Sequence, residues 1–251
     1  MRTRGGGVAS LIRRTPAPAY ILILTLIAIG CSGGSSVPAS DVAGTVPWAA
    51  RESLLYNVVN ESGEKLGMQT LSIDASGSDT RLRQLFESAT NRDEAEVIVD
   101  ARTLKPKSSK RTIVTPSDTE TIEAQYTAAG VEIKQGDKQS GLSVPEYSYD
   151  NDTSLFLWRT LPFAEGYEGA YVTIIANRRT RQDVTLRVIG KETVTVPAGQ
   201  VEAWRLEIKT SNAKQTAWYT TSAPHFLIKY DNDNGLIFEL QCCLPPPGSY
   251  P

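Results

Sequence analysis

Apolar and polar residues alternate with a period of two along most of the chain. The alternation is clearest over residues 183–219, where Val184, Leu186 and Val188, then Val194 and Val196, then Val201, Trp204, Leu206 and Ile208 are set among polar neighbours. Period two puts one set of side chains on one face of a pleated strand, so this stretch predicts antiparallel strands. The turn inside it reads Val196-Pro197-Ala198-Gly199. Pro197 pre-sets φ for the first corner of a type I turn, and Gly199 accepts the left-handed conformation that follows. Together they predict a tight hairpin with a bulge at the glycine.

The pattern recurs on both sides. Strands are expected near residues 54–59, 66–73, 80–88, 95–100, 107–115, 119–127 and 130–135, and again near 170–176, 226–230 and 236–241. Clusters of Gly, Asp, Ser and Asn between them supply the turns. One segment breaks the rhythm. Residues 153–159 set Leu155 and Trp158 three apart behind Asp152, and Pro162 stops the run. This predicts one short helix, capped by Asp152, that packs Phe156 or Trp158 across an open side of the sheet. Leu155, Phe156 and Trp158 are the candidates for a plug or for an apolar-ligand site. The expected fold class is mainly β: a single domain of antiparallel strands forming a barrel-like or strongly curved sheet with one short helix.

The N-terminus reads as an address. Residues 1–30 carry Arg2, Arg4, Arg13 and Arg14, then an apolar run from Tyr20 to Ile29. That run falls short of the ~20 apolar residues that span a bilayer and suits a signal peptide. Ala28-Ile29-Gly30-Cys31 resembles the lipobox of bacterial lipoproteins, with Ala28 where leucine is usual, which marks Cys31 as the lipid attachment site. Residues 31–46 are rich in Ser, Gly, Pro and Ala and are expected to form a flexible tether. The β domain is expected over 47–241, and 242–251 form a Cys-Cys and Pro-rich tail. The expected location is the extracytoplasmic face of the cell envelope, with the membrane as partner through the anchor.

Charge and cysteine content narrow the chemistry. Removing the leader's four arginines from 26 basic residues leaves 22 against 28 acidic ones, a net charge of −6. A mildly acidic body without a basic stripe excludes nucleic acid as an expected partner. His225 is the only histidine and follows a proline turn, so it is expected to be a structural turn residue rather than a metal ligand. Cys242 and Cys243 are adjacent and lack C-x-x-C spacing; a vicinal disulfide, intermolecular bridges and two thiols all remain open. Asp231-Asn-Asp-Asn-Gly235 resembles part of a calcium loop, but Cys242 stands where the closing glutamate is needed. A hairpin turn is expected there instead. No Gly-x-Ser-x-Gly elbow and no phosphate loop occurs. No catalytic residue, metal or cofactor is therefore expected.

Several short motifs carry a family resemblance: Gly67, Val99-Asp-Ala-Arg-Thr-Leu-Lys-Pro106, Leu157-Trp-Arg-Thr-Leu-Pro-Phe163, Val196-Pro-Ala-Gly-Gln-Val-Glu-Ala-Trp-Arg205, and Ala217-Trp-Tyr219 followed by Ala223-Pro224. In this order, from Glu52 to Leu240, the chain resembles the exported bacterial proteins grouped as domain of unknown function 3108. The resemblance implies a curved antiparallel fold of the kind found in envelope lipoproteins. It brings no activity and no catalytic residues. The expected function is non-enzymatic binding of an apolar ligand, such as a lipid, or of an envelope partner. A docking protein with a solid core is the alternative, and an enzyme with an unrecognised site the third reading. Interior volume separates the first two, because an apolar cavity favours lipid and a filled core favours docking.

Overall fold

The computed structural model describes residues 37–242, apart from Ala49. The signal segment, Cys31 and Cys243 lie outside the described residues. The described residues form fifteen strands, most of them on the period-two pattern: β1 (Arg51–Val59), β2 (Lys65–Ser76), β3 (Asp79–Glu87), β4 (Arg92–Asp100), β5 (Pro106–Val114), β6 (Thr119–Thr127), β7 (Gly130–Gln135), β8 (Lys138–Leu142), β9 (Ser148–Asp150), β10 (Glu168–Ile175), β11 (Thr180–Val196), β12 (Gly199–Lys209), β13 (Lys214–Thr220), β14 (Leu227–Asp231) and β15 (Ile237–Leu240). They form one sheet in the order β8 to β1, then β15 to β9. Every pairing is antiparallel except that of β9 with β10. The sheet is therefore two meanders that meet where β1 pairs with β15, with Tyr56 opposite Leu240.

Chain connectivity forces this sheet to curl. β8 and β9 are its two edges, yet only residues 143–147 join them. Six peptide steps reach at most about 21 Å, whereas fourteen strand spacings in a flat sheet separate the edges by about 65–70 Å. The sheet curls past closure without sealing. On β10, Val172 and Ile174 pack against Ile122 and Ala124 of β6 and Val131 and Ile133 of β7. The other face of β10 carries Tyr171, which belongs to the main core with Tyr56, Leu82, Val97, Leu186, Leu206 and Tyr219.

The expected hairpin forms, but without the expected bulge at Gly199: the register shift between β11 and β12 lies between Val188 and Gly190. Val196 pairs with Gly199 across Pro197-Ala198, and Gly199 has φ +117°. The turn is tied to the β1–β15 seam, where Ala198 N donates to Leu240 O at 3.1 Å. Around the Asp-Asn run, Asn232 N donates to Leu236 O and Asp231 pairs with Ile237, so a hairpin loop stands there, as expected. β8 and β9 have no counterpart in the sequence reading. β8 is a polar edge strand, and β9 is three residues long and wholly buried; neither shows alternation.

The helical segment lies inside the curl. A 3-10 turn (Asn151–Thr153) leads into α1 (Ser154–Leu157), and a second 3-10 turn (Trp158–Thr160) follows. Leu161 is extended, as expected for the residue before Pro162. The cap is Asp150 rather than Asp152: the Asp150 carboxylate accepts from Asp152 N at 2.8 Å, which leaves the Asp152 side chain to meet Arg111.

The domain also begins earlier than composition suggests. Residues 40–46, read as tether, are strapped across the core. Ser40 N donates to Ala170 O at 2.8 Å, Asp41 accepts from the Tyr149 hydroxyl, and Val42 is 3 % exposed. Gly44 N donates to Thr160 Oγ1, and a Cβ on Gly44 would stand 2.1 Å from Thr160 O. Small residues sit here because a strap must lie flush against backbone. By composition such a strap looks like a linker.

Candidate functional site

The strand β10 separates two environments by alternation. Tyr171, Thr173 and Ile175 project to the side of the helical segment, opposite Val172 and Ile174. The helical segment is fixed against that side. Trp158 Nε1 donates to the Tyr171 hydroxyl at 3.1 Å, Ser154 Oγ lies 3.2 Å from the same oxygen, and the Tyr219 hydroxyl donates to Leu155 O at 3.0 Å.

Beside this plug lies a cleft of about 570 Å³. Leu155 and Trp158 form part of its floor, while Phe156 turns away into the core. The three residues singled out from sequence are thus all buried, and two of them border the same space. Its walls come from β3, β5 and β10–β15 and are mostly polar. Gln84 Nε2 donates to Asp152 O at 2.6 Å, and the Tyr230 hydroxyl donates to Gln215 Oε1 at 3.0 Å. Arg111 holds Asp93 through Nε at 2.8 Å and reaches Asp152 Oδ1 through Nη1 at 3.3 Å. Burial, then the neighbouring Asp150 charge, pushes the Asp152 carboxyl up to about 6 against the pull of Arg111. Burial likewise raises Asp150, although the Tyr126 hydroxyl donates to it at 2.6 Å and opposes the shift.

One group stands out in this wall. Thr173 is 2 % exposed, and its hydroxyl has no hydrogen-bond partner. Buried polar groups are normally satisfied, so this orphan is an exception, and its oxygen has almost no accessible surface toward the cleft. The sequence carries a faint signal: Thr173 interrupts the otherwise apolar run Ala170-Tyr-Val-Thr-Ile174, which is buried in the fold.

The remaining described candidates, His225 and Cys242, do not line the cleft. His225 sits in a turn at φ +52°, with Nδ1 2.8 Å from Thr220 O and its ring 4.7 Å from that of Phe163. Burial lowers its pKa. Cys242 is exposed, and its neighbour lies outside the described residues. Among the described residues, no cluster of three or more His, Cys, Asp or Glu is arranged to hold a metal ion. No helix among them is long and apolar enough to cross a membrane. The sequence reading passed over Arg159, inside the Leu157–Phe163 motif. Its guanidinium is 3 % exposed, pairs with Glu52 Oε2 at 3.0 Å and donates to Pro224 O at 3.0 Å. Removing either partner would leave a buried charge uncompensated.

A single antiparallel sheet rolled around a buried helical turn defines a barrel-like β protein. The chain belongs to the DUF3108 family, whose model, described as a protein of unknown function, matches residues 55–240. Among solved structures it is similar to a β-barrel-like protein of domain of unknown function DUF1849 from Brucella abortus, at 11 % identity and a TM-score of 0.49, covering 79 % of this chain and 97 % of that one. A proposed exported protein with a YmcC-like fold from Bacteroides fragilis matches at 11 % identity and a TM-score of 0.30, covering 81 % of this chain and 100 % of that one. A proposed lipoprotein from Parabacteroides distasonis matches at 12 % identity and 0.32, covering 81 % of this chain and 99 % of that one. No curated protein matches the chain.

Proposed function

We propose that this protein is a lipid-anchored, extracytoplasmic and non-enzymatic binding module of the cell envelope, and that its ligand is polar rather than apolar. The observation that carries the reading is the lining of the cleft. Its volume suits a small ligand, but an acyl chain laid along Gln84, Arg111, Asp152 and Gln215 would strip water from polar groups without replacing their hydrogen bonds. A filled interior would have favoured docking, whereas the cleft favours a ligand. The absence of enzymatic activity is supported by the state of the charged groups. Arg111 and Asp152 are engaged with each other, and the single histidine is committed to a turn. The anchor and location rest on the basic, short apolar leader and on Cys31.

Two measurements on the full chain check the two halves. Cys31→Ser should move the protein from membranes to the soluble fraction; a variant that stays on membranes overturns the anchor. Native mass spectrometry of protein extracted in mild detergent should show no diacyl lipid beyond the N-terminal modification. A stoichiometric bound lipid would overturn the polar ligand.

A further inference from the structure

Each strand of the sheet is laddered to its neighbours, and one seam has no ladder. β8 and β9 end the sheet, and no pairing joins them among the described residues. There the outer strands lie face to face on β9 and β10, held by side chains. Elsewhere, parting two strands breaks a row of backbone hydrogen bonds. Here it breaks no ladder.

The packing across this seam is small and imperfect. Val172 and Ile174 on one side meet Ile122, Ala124, Val131 and Ile133 on the other. Cross-strand partners share a face. Ser140 is the partner of Ile133 and so points toward β10. Ser148 is the partner of Val172 and so points back toward β6 and β7. Both hydroxyls are buried without a hydrogen-bond partner. In the β10–β11 turn, whose Ala176 packs on the same cluster, Arg179 Nε and Nη2 are also buried and unbonded. Water would satisfy all of these groups, so closing the seam carries a penalty that opening relieves.

The flanks are better fixed. On β5, which pairs with β6, Arg111 is tied to Asp93 of β4 and to Asp152. Beyond β8, Arg181 Nη1 donates to Ser143 Oγ at 2.9 Å and Lys105 Nζ to Glu146 O at 3.2 Å. Between these flanks the Tyr126 hydroxyl of β6 reaches across the seam and donates to Asp150 Oδ2 of β9 at 2.6 Å.

We propose that the barrel opens along this seam: β6, β7 and β8 lift from β9 and β10 as one hinged lid, with the Tyr126–Asp150 hydrogen bond as its latch. Lifting uncovers Asp150, two residues from Asp152 in the cleft wall. The cleft thereby gains a side approach along the free edge of β9. The motion is independent of the ligand's class, since no residue of β6, β7 or β8 lines the cleft.

The test is hydrogen exchange read by mass spectrometry on the full chain in detergent, at several low urea concentrations. Residues 119–142 should exchange as one group, about tenfold or more faster than residues 180–209. Urea should promote this opening only weakly, because it exposes little surface. Ser140→Ala combined with Ser148→Ala removes two groups that closure leaves unsatisfied, and should slow exchange over 119–142 by about fivefold or more. Tyr126→Phe removes the latch and should speed it by a similar factor. Exchange over 119–142 no faster than over 180–209 would overturn the lid. So would a serine pair that leaves exchange unchanged or quickens it, or a Tyr126→Phe variant that leaves it unchanged. A rate that falls steadily from β8 to β6 would mean fraying of an edge strand and would overturn the hinged unit.

Discussion

At Gly199 a side chain would have room, since nothing lies within 4 Å of a Cβ built there. Any penalty must come from the backbone, which holds φ at +117°. Gly199→Val is expected to cost about 1–3 kcal/mol, the usual range for a non-glycine residue forced into such a region. For a domain of this size the fall in Tm should be roughly 2–4 °C per kcal/mol, and an unchanged Tm would mean the turn can relax. Asp152 makes the second residue-scale prediction. Its folded pKa of about 6 lies above the ordinary 3.8, so between those values the folded chain holds a proton that the unfolded chain has released. Stability from this group is therefore highest at low pH and falls as pH rises through about 6. His225, lowered by burial, contributes the opposite slope just below its ordinary value, and Asp150, raised by burial, adds to the slope of Asp152, so a single melting curve mixes the three. Comparison with Asp152→Asn removes the histidine from the balance. The stability of the wild type relative to Asp152→Asn should decline from about pH 5 to about pH 7, and a flat difference would mean that Asp152 titrates normally.

At the scale of elements, the helical segment tests whether the interior is fixed. Trp158 is 3 % exposed, donates to Tyr171 and lies 6.2 Å from the Tyr230 ring. As a permanent plug, Trp158→Ala should cost about 3–5 kcal/mol by denaturant unfolding. A much smaller loss, together with altered retention of a fluorescent fatty acid, would mean that the segment opens as a lid. This helix was legible in the sequence because Leu155, Trp158 and Pro162 mark its spacing and its stop. Its cap was not, since two aspartates stand two residues apart and only the fold decides that Asp150 turns inward to the amide. β8 was hidden by its polar edge composition, and β9 by its length. The hairpin at Pro197-Ala198 was legible because its turn is local, whereas its bulge lies between Val188 and Gly190 rather than at Gly199.

For the molecule as a whole, the period-two pattern carries the mainly β class and the hairpin order, and its break over residues 153–159 marks the short helix. It does not carry the seam between β1 and β15, nor the way β6 and β7 cover β10, because those contacts join residues far apart in the chain. The cleft was illegible for the same reason. Gln84, Arg111, Thr173 and Gln215 belong to four strands that only the curl brings around one space. Arg159 sits in a visible motif, but its partner Glu52 lies 107 residues away. The polar character of the cleft was equally hidden, and the proposal of a polar ligand rests on it.

The strap over residues 40–46 sets a length. Ser40 is already pinned to β10, and nine peptide steps separate it from Cys31. At about 3.5 Å per step the leash extends no more than about 32 Å. A domain acylated at Cys31 would be a resident of one leaflet, unable to ferry cargo across to a facing membrane. The point where the domain is pinned, Ser40, would stay within that distance of the acylated residue.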